Sequence, residues 1–110
     1  MEQTMLYDFY GELLTDNQKS IYEDAVLNDY SLSEIAEEKG ITRQGVHDTV
    51  RRCNRILEDY ESKLHLLSKF LHTKDMVNEI NQLIREYKIS GESECLNKIE
   101  EISREIVEDF

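Results

Sequence analysis

The chain has 110 residues, with 24 Asp and Glu against 13 Lys and Arg, a formal net charge of −11 and no proline. That length bounds it to one small domain, or a domain with an appendage. A charged fraction of 34% without proline favours helices over strands, and the regular aliphatic spacing excludes a disordered chain. The acidic balance argues against indiscriminate attachment to nucleic acid.

Residues 2–14 place Leu6, Phe9, Tyr10, Leu13 and Leu14 at helical spacing, and Tyr7, Phe9 and Tyr10 read as core rather than as a base-stacking platform. Thr15 with Gln18 forms a capping-box pattern, and Asp16 suits the positive end of the helix dipole. The second helix is expected to bury Ile21, Tyr22, Ala25 and Val26 and to end near Asn28 or Asp29. Ser31 and Glu34 repeat the capping pattern and open a third helix, which carries Ile35 and Ala36 inward and stops at Gly40. Ile41 is expected to plug the corner, and Thr42 to cap a fourth helix. Ala36 lies four residues before Gly40 and Val46 six after it. In a helix-turn-helix the alanine permits close approach, the glycine supplies a left-handed corner, and the valine packs under the pair. Gly45, in the next turn, costs about 1 kcal/mol against alanine. Its expected use is close approach, to the partner helix or to a phosphate backbone.

Val46, Val50, Cys53, Leu57, Tyr60, Leu64, Leu67 and Leu71 then step by three or four residues with no glycine or proline between them. One helix over residues 42–71, about 45 Å long, is predicted. Thr73 or Asp75 is expected to open a fifth helix bearing Met76, Val77, Ile80, Leu83, Ile84 and Tyr87. Ser90 and Gly91 break it, and a sixth helix from Glu92 carries Cys95, Leu96, Ile99, Ile102, Ile106 and Val107. These two read as an antiparallel hairpin folding back on the stem. The expected class is all-α: a helix-turn-helix core in residues 1–57, and a stem with a C-terminal helical hairpin in residues 58–110. The apolar stripes exceed what one chain covers, which points to a homodimer, unless the hairpin alone covers the stem. Cys53 and Cys95 are isolated, so neither a disulfide framework nor a zinc site is indicated, and Cys53 reads as a reduced packing thiol.

Charge is unevenly spread. Residues 42–57 hold four Arg and one Asp, +3, leaving −14 for the rest, and residues 92–110 carry −5. Thr42, Arg43, Gln44, His47, Arg51, Arg52 and Arg55 supply donors that reach bases or phosphates. The alternative is that Arg51, Arg52 and Arg55 pair with surrounding glutamates. No Gly-rich phosphate loop or nucleophile pattern occurs. Glu61, His65 and His72 share a face at spacings of four and seven, but no motif supplies further ligands. Catalytic residues, a metal and a cofactor are therefore not expected. The opening residues do not read as a leader and no apolar run is of membrane-spanning length, so a cytoplasmic protein without membrane insertion is expected.

Leu14-Thr15, Gln18, Ile21, Tyr30-Ser31, Glu34-Ile35-Ala36, Gly40-Ile41, Val46 and the basic run ending at Leu57 resemble region 4 of bacterial sigma factors and related response-regulator output domains. The opening MLYDFYGELLTDNQ, the segment SLSEIAEEKGITRQGVHDTVRR and the acidic helical tail make the whole chain similar to the YlxM family of small helical proteins. This resemblance implies a sigma-like helix-turn-helix regulator linked by gene neighbourhood to the signal recognition particle pathway. It also implies that residues 42–52 are the recognition segment. Arg43, Gln44, His47 and Arg51 would face the groove, with Arg52 and Arg55 nearer the backbone. Asp48 departs from that pattern, since a carboxylate repels phosphate. It either accepts from a cytosine amino group or pairs with Arg51 or Arg52, the reading preferred here. Three functions follow: DNA binding as a dimer, which is favoured; binding of RNA or signal recognition particle components; or a protein-interaction module on the same fold.

Overall fold

A computed structural model describes residues 2–110, and all of their regular structure is helical. Helix α1 spans Glu2–Tyr10 and runs into a 3₁₀ turn, Gly11–Leu13. Helix α2, Asp16–Tyr22, is continued by a π turn, Glu23–Leu27, and is followed by α3 (Leu32–Lys39), α4 (Arg43–Leu64), α5 (Leu66–Ser90) and α6 (Ser93–Glu108). The chain forms two compact units that divide between Leu67 and Ser68.

The first unit is set by its caps. The Thr15 hydroxyl accepts from Gln18 N while the Gln18 side chain accepts from Thr15 N, and Ser31 and Glu34 repeat the reciprocal pair. Thr42 Oγ1 accepts from Gly45 N at 2.9 Å. Gly40 sits at φ +68, and the N–H groups of Gly40 and Ile41 both donate to Ala36 O, which ends α3 by the left-handed route only glycine takes at no steric cost. Ile21, Ile35, Ala36 and Val46 are buried together under this corner. Because those four fill the space, Ile41 does not plug the corner and is 42% exposed.

A second cluster joins Leu6, Tyr10, Leu14, Tyr22, Cys53, Leu57 and Leu67. Here α1 is shorter than the predicted run to Leu14. The Tyr7 ring stacks on Tyr22 at 5.4 Å between centroids, and a Cβ on buried Gly11 would lie 2.7 Å from that ring. The tightened turn at Gly11 keeps Leu14 inside but swings Leu13 out, to 55% exposure. Cys53 is buried and reduced, and burial raises its thiol pKa against the opposing effect of Arg52.

Tyr22 is fully buried and its hydroxyl donates to Asn54 Oδ1 at 2.6 Å. Burial, with Cys53 and Glu58 adding negative charge nearby, pushes its phenol from 10.0 up to about 12. The folded state therefore holds the proton more tightly than the unfolded chain. The associated stability is complete below pH 10 and is lost as pH rises through about 12. Urea midpoints are expected to hold steady up to about pH 9.5 and then to fall, less steeply in Tyr22→Phe. A wild-type midpoint unchanged through pH 12 would contradict this placement of the phenol.

The predicted helix over residues 42–71 is broken. His65 adopts φ 56, ψ 28 and ends α4, its N–H donating to Glu61 O at 2.9 Å. A helix beginning at Leu66 exposes N–H groups with no partner in the preceding turn, and two side chains, one of them far away in sequence, supply the acceptors. Leu67 N donates to Glu61 Oε1 at 2.9 Å, Leu66 N donates to the Tyr10 hydroxyl at 3.1 Å, and that hydroxyl donates to Glu61 Oε1 at 2.6 Å. Burial first and Glu61 second raise the Tyr10 phenol, which keeps its proton in place. Leu67 is thereby drawn into the core, so α5 starts well before Thr73 or Asp75. The compact unit likewise runs past residue 57, the boundary read from sequence, to Leu67.

In the second unit α5 and α6 form the expected antiparallel hairpin. Met76, Leu83 and Ile102 are buried, with Ile80, Ile99 and Ile106 packed against them. His72 Nε2, early in α5, lies 3.8 Å from Asp109 Oδ2, just past the end of α6. Ser90 Oγ accepts from Glu92 N at 3.2 Å and Gly91 turns the chain at φ +69. No helix among the described residues is long and apolar enough to cross a membrane.

Candidate nucleic-acid interface

Helix α4 is fixed in the first unit by Val46, Cys53 and Leu57, all completely buried on one side. At 3.6 residues per turn this sets the opposite side. Gln44, Asp48, Arg51 and Arg55 stand at the outward pole, Arg52 lies on one flank, and His47 and Arg43 lie on the other. Thr42, Arg43, Gln44, His47, Arg51, Arg52 and Arg55 are all exposed. Among the described residues none of the four arginines forms an ion pair within 4.0 Å. Asp48, Arg51, Arg52 and Arg55 line one shallow depression, and Leu32, Arg43, Gln44 and His47 line a second. The guanidinium groups from Arg51 to Arg55 are thus available along one face, while α3 meets the other depression through Leu32.

Asp48 does not pair with Arg51 or Arg52. Its Oδ1 accepts from Gln44 Nε2 at 2.9 Å, one helical turn back, and lies 3.9 Å from His47 Nδ1. Gln44 and Arg52 stand one turn before and one turn after Asp48, both within reach by spacing, and the bond formed is the one to the Gln44 amide. Gly45 does not serve close helix–helix approach. A Cβ there would meet Thr42 Oγ1 at 3.1 Å, and its next neighbour is the tip of Ile41. Small size at Gly45 therefore protects the cap that starts α4.

Sequence reasoning missed Lys63. It closes a groove lined by Leu13, Arg52, Arg55, Ile56, Asp59 and Tyr60, and extends the cationic line while paired to Asp59 at 3.0 Å. The spacing Arg52, Arg55, Asp59, Lys63 was readable as one helical stripe. Beside this, the outer side of α3 is acidic. Tyr30, Glu34, Glu37 and Glu38 line a patch there with no basic residue. Of the three residues read as sharing a face, Glu61 accepts the Tyr10 and Leu67 bonds, His65 ends α4 and His72 faces Asp109. Among the described residues no group of three or more His, Cys, Asp and Glu is arranged to hold a metal ion.

Comparison with known proteins gives the same architecture. Residues 1–104 match the family model described as "UPF0122: Putative helix-turn-helix protein, YlxM / p13 like". The chain is 47% identical to a UPF0122 protein of Thermoanaerobacter sp. (strain X514), covering 96% of this chain and 91% of that protein. It is 43% identical to UPF0122 protein YlxM of Bacillus subtilis (strain 168), covering 86% and 90%. It is 39% identical to UPF0122 protein YofM of Lactococcus lactis subsp. lactis, covering 96% and 90%.

Proposed function

Since the chain belongs to the UPF0122 family of YlxM-like helix-turn-helix proteins, we propose that it is a non-enzymatic regulator that binds nucleic acid, duplex DNA foremost, through the outward face of α4. The observation that supports this reading is the set of exposed arginines without carboxylate partners on a helix held rigidly by its buried side. An α-helix fits the major groove of B-form DNA, whereas the deep, narrow major groove of A-form RNA does not admit it. Gln44, His47, Arg43 and Arg51 read base edges in this arrangement, and Arg52 and Arg55 hold phosphates. A homodimer places two α4 helices on half-sites about 34 Å apart. The link to the signal recognition particle pathway suggested by the YlxM resemblance then runs through the same face, as control of its genes or as contact with its RNA. Fluorescence anisotropy with labelled genomic fragments and with the particle RNA, at low and raised salt, tests the proposal. Absence of binding to either at low salt rejects it.

Asp48 sharpens this reading. A carboxylate at the pole of a cationic face is tolerated only where it meets base edges, and there it accepts from a cytosine amino group. Asp48→Ala is expected to raise affinity for unrelated duplexes several-fold. It is also expected to erase a preference for cytosine at one position, worth about 1–3 kcal/mol. Selection from a randomised library with both proteins reads this out. An equal gain on every sequence would make Asp48 a charge brake only.

A further inference from the structure

One flank of α4 carries an open groove whose lining is of two kinds. Arg52, Ile56, Asp59 and Lys63 follow one another at intervals of four, three and four residues, so they form one stripe, about 16 Å long. Leu13, swung out by the turn at Gly11 and 55% exposed, lines the same groove, which has a volume of about 630 Å³. Helical rotation sorts the rest. Tyr60 and Ile56 lie nearest the buried side of α4, and Lys63, Arg52 and Arg55 follow toward the outward pole. The groove therefore has an apolar floor of Leu13, Ile56 and Tyr60 beneath a cationic rim. Its three cations and one carboxylate leave it at +2 in a chain of −11. Lys63 holds Asp59 at 3.0 Å, whereas Arg52 and Arg55 have no ion pair within 4.0 Å among the described residues.

We infer that this groove docks a short acidic segment of a partner protein. A large apolar side chain of that segment sits on Leu13, Ile56 and Tyr60, and Asp or Glu residues beside it are held by Arg52 and Arg55. Apolar contact at the centre with charge at the rim is the ordinary anatomy of a protein–protein interface. The rim sets the sign of the occupant, and the floor selects peptide over nucleic acid. A phosphodiester chain has no apolar side group with which to cover Leu13 and Ile56. The Tyr60 ring is already stacked on Tyr10, 6.0 Å between centroids, so it cannot be sandwiched between two bases. Asp59 also interrupts the cationic row: evenly spaced phosphates must meet it, while a peptide can set a neutral residue there. The docking does not depend on the nucleic-acid reading, but one consequence does. Arg52 and Arg55 serve both ligands, so an acidic partner and a duplex exclude one another, each weakening the other by the same factor.

The test is a phage-displayed library of random peptides of about 12 residues, enough to span the stripe as a helix, selected on the full chain. The expected consensus has Asp or Glu flanking Leu, Ile or Phe. Leu13→Ser removes the apolar wall without altering charge and should weaken a selected peptide about tenfold. Its helicity should be retained, because Leu13 is already half open to water. Arg52→Glu should also weaken the peptide, most strongly at low salt. Should Leu13→Ser lose its helices, Arg52→Glu, at an exposed position, still decides. A consensus without acidic residues, or peptides that bind both variants as tightly as the wild type, overturns the docking site. A single-stranded oligonucleotide that loses affinity in Leu13→Ser while the peptides do not would give the groove to nucleic acid and overturn it too. Saturating peptide should displace duplex DNA, and both bound at once would overturn the sharing of Arg52 and Arg55. Peptide binding by a chain that binds no nucleic acid would sink the functional reading and leave this site standing.

Discussion

Alanine at Arg52 and Arg55 together is expected to weaken binding to duplex DNA about 100-fold at low salt and to reduce the slope of log affinity against log salt by about 1.8. Each phosphate neutralised by a cation releases condensed counterions, so two lost contacts lower both quantities together. Thermal unfolding should be unchanged, because both side chains are exposed and α4 is held by Val46, Cys53 and Leu57 on its other side. Arg85→Ala is the control. That arginine is exposed on α5 and donates to Gln82 at 3.3 Å, away from the α4 face in sequence and in hydrogen bonding. An unchanged salt slope in the double variant would remove Arg52 and Arg55 from the backbone contacts, whatever happened to overall affinity.

The second large effect concerns stability. Glu61→Ala should cost the first unit about 3 kcal/mol. It removes a charged acceptor shared by Tyr10 and Leu67 N, and buried donors left unmatched carry their full desolvation penalty. Tyr10→Phe should cost about 1–2 kcal/mol, through the lost acceptor for Leu66 N. The two together should cost little more than Glu61→Ala alone, since they act through one network. His65→Gly is expected to stabilise by about 1 kcal/mol, because the residue already adopts a left-handed conformation. Urea melts of the four variants decide the matter. A loss of stability in His65→Gly, as for glycine in a continuous helix, would show that α4 and α5 are one rod.

That network also explains what could be read from the residues alone and what could not. The starts of α2, α3 and α4 were legible because each cap is local: Thr15 with Gln18, Ser31 with Glu34, and Thr42 just after Gly40. The outward face of α4 was legible because helical period alone separates Arg51, Arg52 and Arg55 from Val46, Cys53 and Leu57. The break at His65 was not, since Leu64, His65 and Leu66 contain no breaker and the turn is imposed by a tyrosine 56 residues away from the amide it holds. The early end of α1 had a local signal, Gly11, but its reason lies in the Tyr7 ring stacking on Tyr22. Asp48 was assigned to the wrong partner because arginine was weighed by charge. Gln44, one turn before it, is as close by spacing as Arg52, one turn after, and takes the bond.

The acidic side of α3, built from Glu34, Glu37 and Glu38, is joined to cationic α4 by a corner only three residues long. A polyanion approaching this corner would meet repulsion along α3 and attraction along α4. Such a field would turn the molecule before contact, and of the two senses in which α4 could lie along a groove it would favour the one that tips α3 away from the sugar–phosphate wall. Under the proposed function, orientation on a duplex would be set at the first collision, and added salt would blur it along with the affinity.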